Sequence, residues 1–132
     1  MSSKARILVV DDDHSLVQVI GCILEKAGFE VLTAFDGWDA LRKVQEEKPA
    51  LVILDVTMPS IDGYEVCRRL RNDPDTATMP VLMLTARTGS RAQVDGFESG
   101  ADDYAFKPVK AEDLVTRVRS LLWADSWGSL GE

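Results

Sequence analysis

The chain has 132 residues, a formal net charge of −7 at pH 7 and a hydrophobic fraction of 45%. This length suits one domain with a core of its own. The negative charge argues against binding of the DNA backbone by this chain, because phosphates require a basic surface. The sequence begins MSSKARILVVDDD and turns acidic at once, and no apolar run approaches the length of a membrane span. We therefore expect a cytoplasmic protein without a signal peptide.

The first half of the chain alternates strand patterns with helical ones. Residues 7–10 (ILVV) form a short continuous apolar run, typical of a strand that is covered on both faces. From Ser15 onward apolar residues keep helical spacing until Gly28, which we interpret as the helix stop. Residues 31–35 (VLTAF) predict a weaker second strand, and the helix after it ends before Pro49.

The second half repeats this alternation. Residues 51–54 (LVIL) and 81–84 (VLML) are again continuous apolar runs, with a helical pattern between them. The fourth helix, within residues 90–100, is weaker because Gly96 inside it costs about 1 kcal/mol relative to alanine. Residues 103–106 (DYAF) predict the last strand. The final helix carries one apolar stripe: Leu114, Val115, Val118, Leu121 and Leu122.

Five strand–helix units in succession predict an α/β fold. Strands that alternate with helices form a parallel sheet with right-handed crossovers. For five such units the common doubly wound, flavodoxin-like order is 2-1-3-4-5, and ligands bind at the carboxyl ends of the strands where the chain reverses direction. We expect this (βα)5 domain to span residues 1–123, with a C-terminal tail or linker over 124–132.

Polar side chains follow each strand that flanks the reversal point. Carboxylates come from strands 1 and 3, and at about 5 Å and an effective dielectric near 20 each pair repels by roughly 3 kcal/mol. Such a cluster must take up protons or hold a cation, and hard oxygen ligands suit Mg²⁺. The residues that follow the predicted strands are Asp11, Asp12 and Asp13 after strand 1, Asp55 after strand 3, Thr85 and Ala86 after strand 4, and Lys107 and Pro108 after strand 5.

Lys107 and Thr85 indicate that Asp55 does more than bind a metal ion. An ammonium group can face phosphoryl oxygens and a hydroxyl can donate to one of them, and a passive metal site needs neither. A carboxylate that attacks phosphorus becomes an aspartyl phosphate. The new group carries about two negative charges, enough to reposition nearby loops.

Four motifs in combination strongly resemble the receiver domain of two-component response regulators: ILVVDDD, VILDVTMPSIDGYEVCRRLR, PVLMLTA and GADDYAFKP. The resemblance covers most of the chain. It implies that Asp55 is the phosphoacceptor in a phosphorelay. It also implies that Mg²⁺, or Mn²⁺ in its place, is held by Asp11, Asp12, Asp55 and the backbone carbonyl of Thr57.

The resemblance further assigns contacts to the phosphoryl group and a switch. Lys107, Thr85 and Ala86 are expected to contact the phosphate, and the Lys107–Pro108 peptide bond is expected to be cis. Thr85 and Tyr104 are expected to form the switch pair, in which the hydroxyl moves toward the phosphate and the ring turns inward.

Some positions vary within the family. Thr57 and Arg87 are expected to flank the path of the attacking water and to tune the lifetime of the phosphate. Asp13 extends the acid pair, and capping of the first helix is one role for it. Val109 stands where a phenylalanine is frequent, which leaves Lys107 intact but makes the local packing harder to predict.

The resemblance implies partners. The phosphoryl group is expected to come from a sensor histidine kinase, a phosphotransfer protein or a small acyl phosphate, because His14, the only histidine, is interpreted as a surface residue. Phosphorylation is expected to remodel the face of helix 4, strand 5 and helix 5 for a downstream protein or a covalently linked output domain. A phosphorylation-dependent dimer is a further outcome. We expect no direct nucleic-acid or membrane binding, and no enzyme activity beyond assistance to the domain's own phosphorylation and dephosphorylation.

The sequence leaves open whether the chain is a stand-alone regulator or the N-terminal part of a longer protein. Three other functions share parts of this pattern. A flavodoxin-like redox carrier needs a phosphate cradle after strand 1, where the aspartates would repel a flavin phosphate. A phosphatase of the haloacid dehalogenase type resembles Asp-x-Asp after strand 1 and usually carries a cap domain. A receiver-like module that works without phosphorylation is disfavoured by the intact set of site residues.

Other conspicuous residues are interpreted as structural. The two cysteines, which lack metal-ligand spacing, are expected to be reduced core thiols on opposite faces of the sheet. Three arginines of helix 3 are expected to form a solvated face, and a tryptophan is expected to pack at the end of the last helix. These residues are Cys22, Cys67, Arg68, Arg69, Arg71 and Trp123.

Overall fold

The computed structural model describes residues 4–86 and 90–130, without the side chains of residues 90, 92, 93 and 124–130. Strands and helices alternate along these ranges. Their bounds are β1 Arg6–Val10, α1 His14–Lys26, β2 Glu30–Ala34, α2 Gly37–Glu47, β3 Leu51–Leu54, α3 Gly63–Asn72, β4 Val81–Thr85, α4 Ser90–Glu98, β5 Asp103–Phe106 and α5 Ala111–Leu130.

The strands form one parallel sheet in the order β2-β1-β3-β4-β5, so the predicted doubly wound α/β fold is confirmed. The register brings the ends of the strands into line. Val10 of β1 pairs with Leu54 of β3, and Thr85 of β4 pairs with Phe106 of β5. The residues that follow these strands therefore meet at one edge of the sheet.

Two apolar layers cover the two faces of the sheet. Side chains of β1 alternate between them, with Ile7 in the layer beside α1 and α5 and Leu8 in the layer beside α2 and α3. Both side chains are 0% exposed. Because both faces are covered, the central strands contain no polar alternation, which explains the continuous apolar runs in the sequence.

Aspartate side chains cap the first three helices. Asp13, Asp36 and Asp62 each accept a hydrogen bond from the backbone N–H three residues on, at 3.1, 2.7 and 2.9 Å. Such a cap contributes about 1 kcal/mol relative to alanine. The role of Asp13, left open by the sequence, is therefore that of a helix cap.

The last helix is longer than its apolar stripe. The backbone of α5 is helical to Leu130, so the segment that we predict as a tail begins in helical conformation. The prediction that Trp123 packs at the helix end is wrong, because its side chain is 60% exposed. Among the described residues, no helix is both long enough and apolar enough to cross a bilayer.

Two other predictions on the helices need correction. Cys67 is buried as expected, but Cys22 is exposed, because the inward face of α1 is formed by neighbouring positions such as Val17 and Leu24. Both cysteines are free. Burial raises the pKa of the Cys67 thiol, which makes it less reactive than an exposed thiol.

Arg71 does not belong to a solvated face. Its side chain is 20% exposed and pairs with Asp102 at 2.8 Å. Its guanidinium also donates to the carbonyl oxygens of Gly100 and Met79, at 2.8 and 2.7 Å. Arg71 thus ties the end of α3 to the turns before β4 and β5. Arg68 and Arg69 are exposed as expected and both pair with Glu65.

Candidate functional site

Main-chain hydrogen bonds fix the two carboxylates that follow β1 and β3. Because Val10 and Leu54 are paired, Asp11 and Asp55 are the next residues on adjacent strands. The Asp55 N–H donates to the Val10 carbonyl oxygen at 3.0 Å. Both side chains are buried, with 3% of Asp11 and 5% of Asp55 exposed. Asp55 therefore lies directly after a buried strand, at the carboxyl edge of the sheet, where a ligand site formed by loops is expected.

Asp12 completes a cluster of three carboxylates. One oxygen from each of Asp11, Asp12 and Asp55 lies within 4.8 Å of the other two, and Asp12 is exposed. The Asp11 carboxylate also accepts a hydrogen bond from the Asp13 N–H at 3.0 Å, which orients it. Three convergent oxygen donors, one of them open to solvent, fit a small hard cation that retains part of its water shell.

Lys107 places its ammonium group against this cluster. Its Nζ lies 2.7 Å from Asp11 Oδ2 and 3.4 Å from Asp55 Oδ1. The Lys107 N–H donates to the Thr85 carbonyl oxygen at 2.8 Å, which holds the start of the β5–α5 loop against the end of β4. The Lys107–Pro108 peptide bond is cis. The structure thus brings together side chains that follow β1, β3 and β5.

The electrostatics of the site follow from burial and crowding. Burial raises the pKa of the Asp55 carboxyl, and the negative charge of Asp11 adds to this effect against the opposing influence of Lys107. Burial lowers the pKa of Lys107, but its ion pairs with Asp11 and Asp55 outweigh burial and leave that pKa raised. Lys107 is therefore a permanent cation at neutral pH.

The residues expected to act as a switch lie on the neighbouring strands. Thr85 is the last residue of β4 rather than the first residue after it, and it is 1% exposed. Ala86 follows and is exposed. The Tyr104 ring is 4% exposed and contacts Phe106 edge-to-face, with centroids 5.3 Å apart, so the ring lies inward.

The residues expected to tune the phosphate lifetime are only partly described. Thr57 is exposed in the loop between β3 and α3, close in sequence to Asp55. Arg87 lies outside the described residues. His14 is exposed, as expected of a surface residue, and its ring stacks on Phe35 with centroids 3.8 Å apart.

Gly63 contributes to the site in a way that the sequence did not reveal. A Cβ atom at this position would lie 2.2 Å from the carbonyl oxygen of Asp55. The Gly63 N–H also donates to the Val56 carbonyl oxygen at 2.8 Å. The first residue of α3 is therefore pressed against the backbone of Asp55. The Asp-Gly pair in the sequence indicated a turn or a helix start but not this close approach.

Exposed apolar side chains mark the outer surface of α4 and α5. On α4, Val94 is 43% and Phe97 is 50% exposed, and Trp123 of α5 is 60% exposed. Sequence reasoning singled out Trp123 but neither residue of α4. Exposed apolar side chains that form a contiguous patch are typical of surfaces that contact a partner, whereas scattered ones are ordinary.

Comparison with known proteins gives the family. The sequence profile of the response regulator receiver domain matches residues 7–119. RpaA of Synechocystis, a DNA-binding dual master transcriptional regulator, is 44% identical over 89% of this chain and 48% of its own length. PhoP of Bacillus subtilis, an alkaline phosphatase synthesis transcriptional regulatory protein, is 45% identical over the same shares. This chain therefore spans about half the length of either regulator.

A solved structure agrees with these relatives. The chemotaxis protein CheY4 of Vibrio cholerae superposes with a TM-score of 0.85 at 34% identity, over 90% of this chain and 99% of CheY4. The acid cluster, the lysine that faces it and the strand order all lie within the matched residues. The protein is thus a signalling domain that belongs to the response regulator receiver family.

Proposed function

We propose that Asp55 accepts a phosphoryl group in a metal-dependent reaction and that this modification switches the surface formed by α4, β5 and α5. One observation carries the proposal. The Asp55 carboxylate lies in one cluster with the carboxylates of Asp11 and Asp12, and Lys107 Nζ lies 3.4 Å from Asp55 Oδ1. The ammonium of Lys107 and a cation held by the acid cluster would together attract an anionic phosphoryl group.

The chemistry is a phosphoryl transfer. A carboxylate oxygen of Asp55 attacks phosphorus, a new O–P bond forms, and the bond from phosphorus to the donor's nitrogen or oxygen breaks. The electron pair of that bond leaves with the donor group. Lys107 and the hydroxyl of Thr85 would compensate the charge of the transferred oxygens, and the backbone N–H of Ala86 is the third proposed donor.

Asp11, Asp12, Asp55 and the backbone carbonyl of Thr57 are the residues that would hold Mg²⁺, with Mn²⁺ as an alternative. The oxygen donors and the open side of the cluster support this assignment. When bound, the ion neutralises the carboxylates and the phosphoryl oxygens so that two anions can meet. Asp13 supports the same loop by orienting Asp11 and by capping α1.

The output of the switch is a change in the surface that carries Val94, Phe97 and Trp123. Thr85 and Tyr104 connect the site to this surface, because Thr85 ends β4 and Tyr104 lies on the adjacent strand. The domain would exist in two states before phosphorylation, and the phosphate would favour the state in which the Tyr104 ring lies inward. A sensor histidine kinase or a phosphotransfer protein is the proposed donor, in the cytoplasm.

The proposed partner of the switched surface is a downstream protein or an output domain linked to residues 124–132. The second option is supported by RpaA and PhoP, of which this chain matches about half. Direct nucleic-acid binding by this chain is not proposed, since its net charge is −7. Dimer formation through the same surface is a further proposed response to phosphorylation.

The experiment is incubation with acetyl phosphate and Mg²⁺, followed by intact-mass spectrometry. The wild-type protein is expected to gain the mass of one phosphoryl group, and Asp55→Asn and chelation of the metal are each expected to abolish the gain. Asp62→Asn, at an exposed helix cap, is the control and should label normally. Full labelling of Asp55→Asn, or none of the wild type, would contradict the proposal.

A further inference from the structure

Gly96 of α4 lies directly against the ring of Tyr104. A Cβ atom at position 96 would lie 2.4 Å from Tyr104 Cδ2 and 2.6 Å from Cε2, distances that real Cβ atoms essentially never show. A helical glycine is unfavourable by about 1 kcal/mol relative to alanine. Gly96, which lowers the helix propensity of α4, therefore leaves the space next to the helix that the Tyr104 ring occupies.

The end of α4 is held in place, so the helix cannot simply move away from the ring. The Gly96 carbonyl oxygen accepts hydrogen bonds from Ser99 Oγ at 2.6 Å and from the Ala101 N–H at 3.3 Å. Ser99 is 3% exposed. The turn that follows has Gly100 at φ +104°, and its carbonyl oxygen accepts from Arg71 Nε at 2.8 Å. This turn is thereby tied to α3.

We infer that Gly96 is the positioning residue of Tyr104, and that the absence of a side chain at position 96 is what allows the ring to lie inward. Any larger residue at position 96 would force the ring outward, because the ring can rotate about its χ1 torsion and the helix end is anchored. The inference rests on the proposed function for its consequence, since an inward ring is the state that phosphorylation of Asp55 is proposed to favour.

The test follows the ring directly. The chain has two tyrosines, Tyr64 and Tyr104, so 3-fluorotyrosine labelling gives two ¹⁹F resonances that Tyr64→Phe assigns. A neutral gadolinium chelate reports which ring is exposed to solvent. In Gly96→Ala we expect the Tyr104 resonance to shift and to lose its protection from the chelate. The spectrum of Tyr64 should stay unchanged.

A matched control is available in α1. Gly21 is also a buried helical glycine, but a Cβ atom there would meet only Val31 Cγ1, at an ordinary 3.5 Å. Gly21→Ala should therefore raise the melting temperature and leave the Tyr104 resonance unchanged. Gly96→Ala should melt at a lower temperature than the wild type. The double variant Gly96→Ala/Tyr104→Ala should melt at a higher temperature than Tyr104→Ala alone. There the gain in helix propensity favours folding about five-fold, the equivalent of 1 kcal/mol.

Continued protection of Tyr104 in folded Gly96→Ala would overturn the inference, and so would equal destabilisation with and without the Tyr104 ring. The proposed function is tested separately, by acetyl phosphate labelling of the same variant, since Gly96 is not part of the acid cluster. Failure to label the wild type would refute the phosphorylation proposal and leave the steric result standing. Normal labelling of Gly96→Ala with a protected ring would overturn only the positioning role of Gly96.

Discussion

The close approach of Gly63 to Asp55 makes a sharp prediction about catalysis. In Gly63→Ala the new methyl group would lie 2.2 Å from the Asp55 carbonyl oxygen, and the contact is with backbone rather than with a flexible side chain. The two groups must separate by about 1 Å, and a displacement of that size at reacting groups costs up to about 100-fold in rate. The strain also costs about 1–3 kcal/mol of stability.

The assay is the rate of phosphoryl gain from acetyl phosphate at saturating Mg²⁺, measured by intact-mass spectrometry below the melting temperature of the variant. We expect Gly63→Ala to label about 10- to 100-fold more slowly than the wild type. Gly21→Ala, which adds the same methyl group at an uncrowded helical position, should label at the wild-type rate. A folded Gly63→Ala protein that labels as fast as the wild type would refute the reasoning.

Three further predictions concern charge and stability. Because the folded-state pKa of Asp55 is raised, the folded protein binds that proton more readily than the unfolded chain, so ionised Asp55 opposes folding. In metal-free buffer Asp55→Asn should therefore melt higher than the wild type at neutral pH, and the difference should shrink as the pH falls toward the usual carboxyl pKa of about 4; an advantage that grows with acidification would contradict this sign. Mg²⁺ at 100 times its dissociation constant should stabilise the wild type by about 2.7 kcal/mol, measured by thermal melts. Asp12→Ala should lose most of this gain, whereas Asp13→Asn, which retains a capping side chain, should keep it; an equal response in both variants would remove Asp12 from the site. In denaturant titrations Arg71→Ala should lose about 2–3 kcal/mol, because it leaves the partly buried carbonyl oxygens of Gly100 and Met79 without their side-chain donor and removes the ion pair with Asp102. Arg68→Ala, at a 52% exposed side chain, should change stability by no more than about 0.5 kcal/mol, and similar losses in both would show that the burial of Arg71 is unimportant.

The elements of the fold were predictable because each strand is covered on both faces. The runs at 51–54 and 103–106 match β3 and β5 residue for residue, and the remaining strands differ by one residue at one or both ends. The strand order followed from five repeated units, and with it the meeting of Asp11 and Asp55. Ligands of doubly wound sheets bind at the carboxyl ends of the strands where the chain reverses direction. This rule was enough to locate the acid cluster without any measured distance.

Contacts made by backbone atoms and by solvent-facing helix positions were not predictable in the same way. Gly63 and Gly96 each look like a local helix signal, and only the three-dimensional arrangement shows what a Cβ atom would meet. Arg71 shares a helix with two exposed arginines, and its burial depends on where the chain returns about 30 residues later, at Gly100. The prediction that Cys22 is buried was wrong because it followed the usual burial of free cysteine, whereas the inward face of α1 is formed by other positions.

The position of Lys107 between Asp11 and Asp55 has a consequence for which ions the pocket accepts. Three ionised carboxylates against one ammonium leave two uncompensated negative charges, so a divalent cation brings the pocket to electroneutrality and a monovalent cation does not. The acyl phosphate proposed for Asp55 would carry about two charges where the carboxylate carries one, which would remove that balance again. The phosphorylated site would then have an excess of negative charge that attracts the positive ends of nearby dipoles, and hydrolysis of the phosphate would remove this excess.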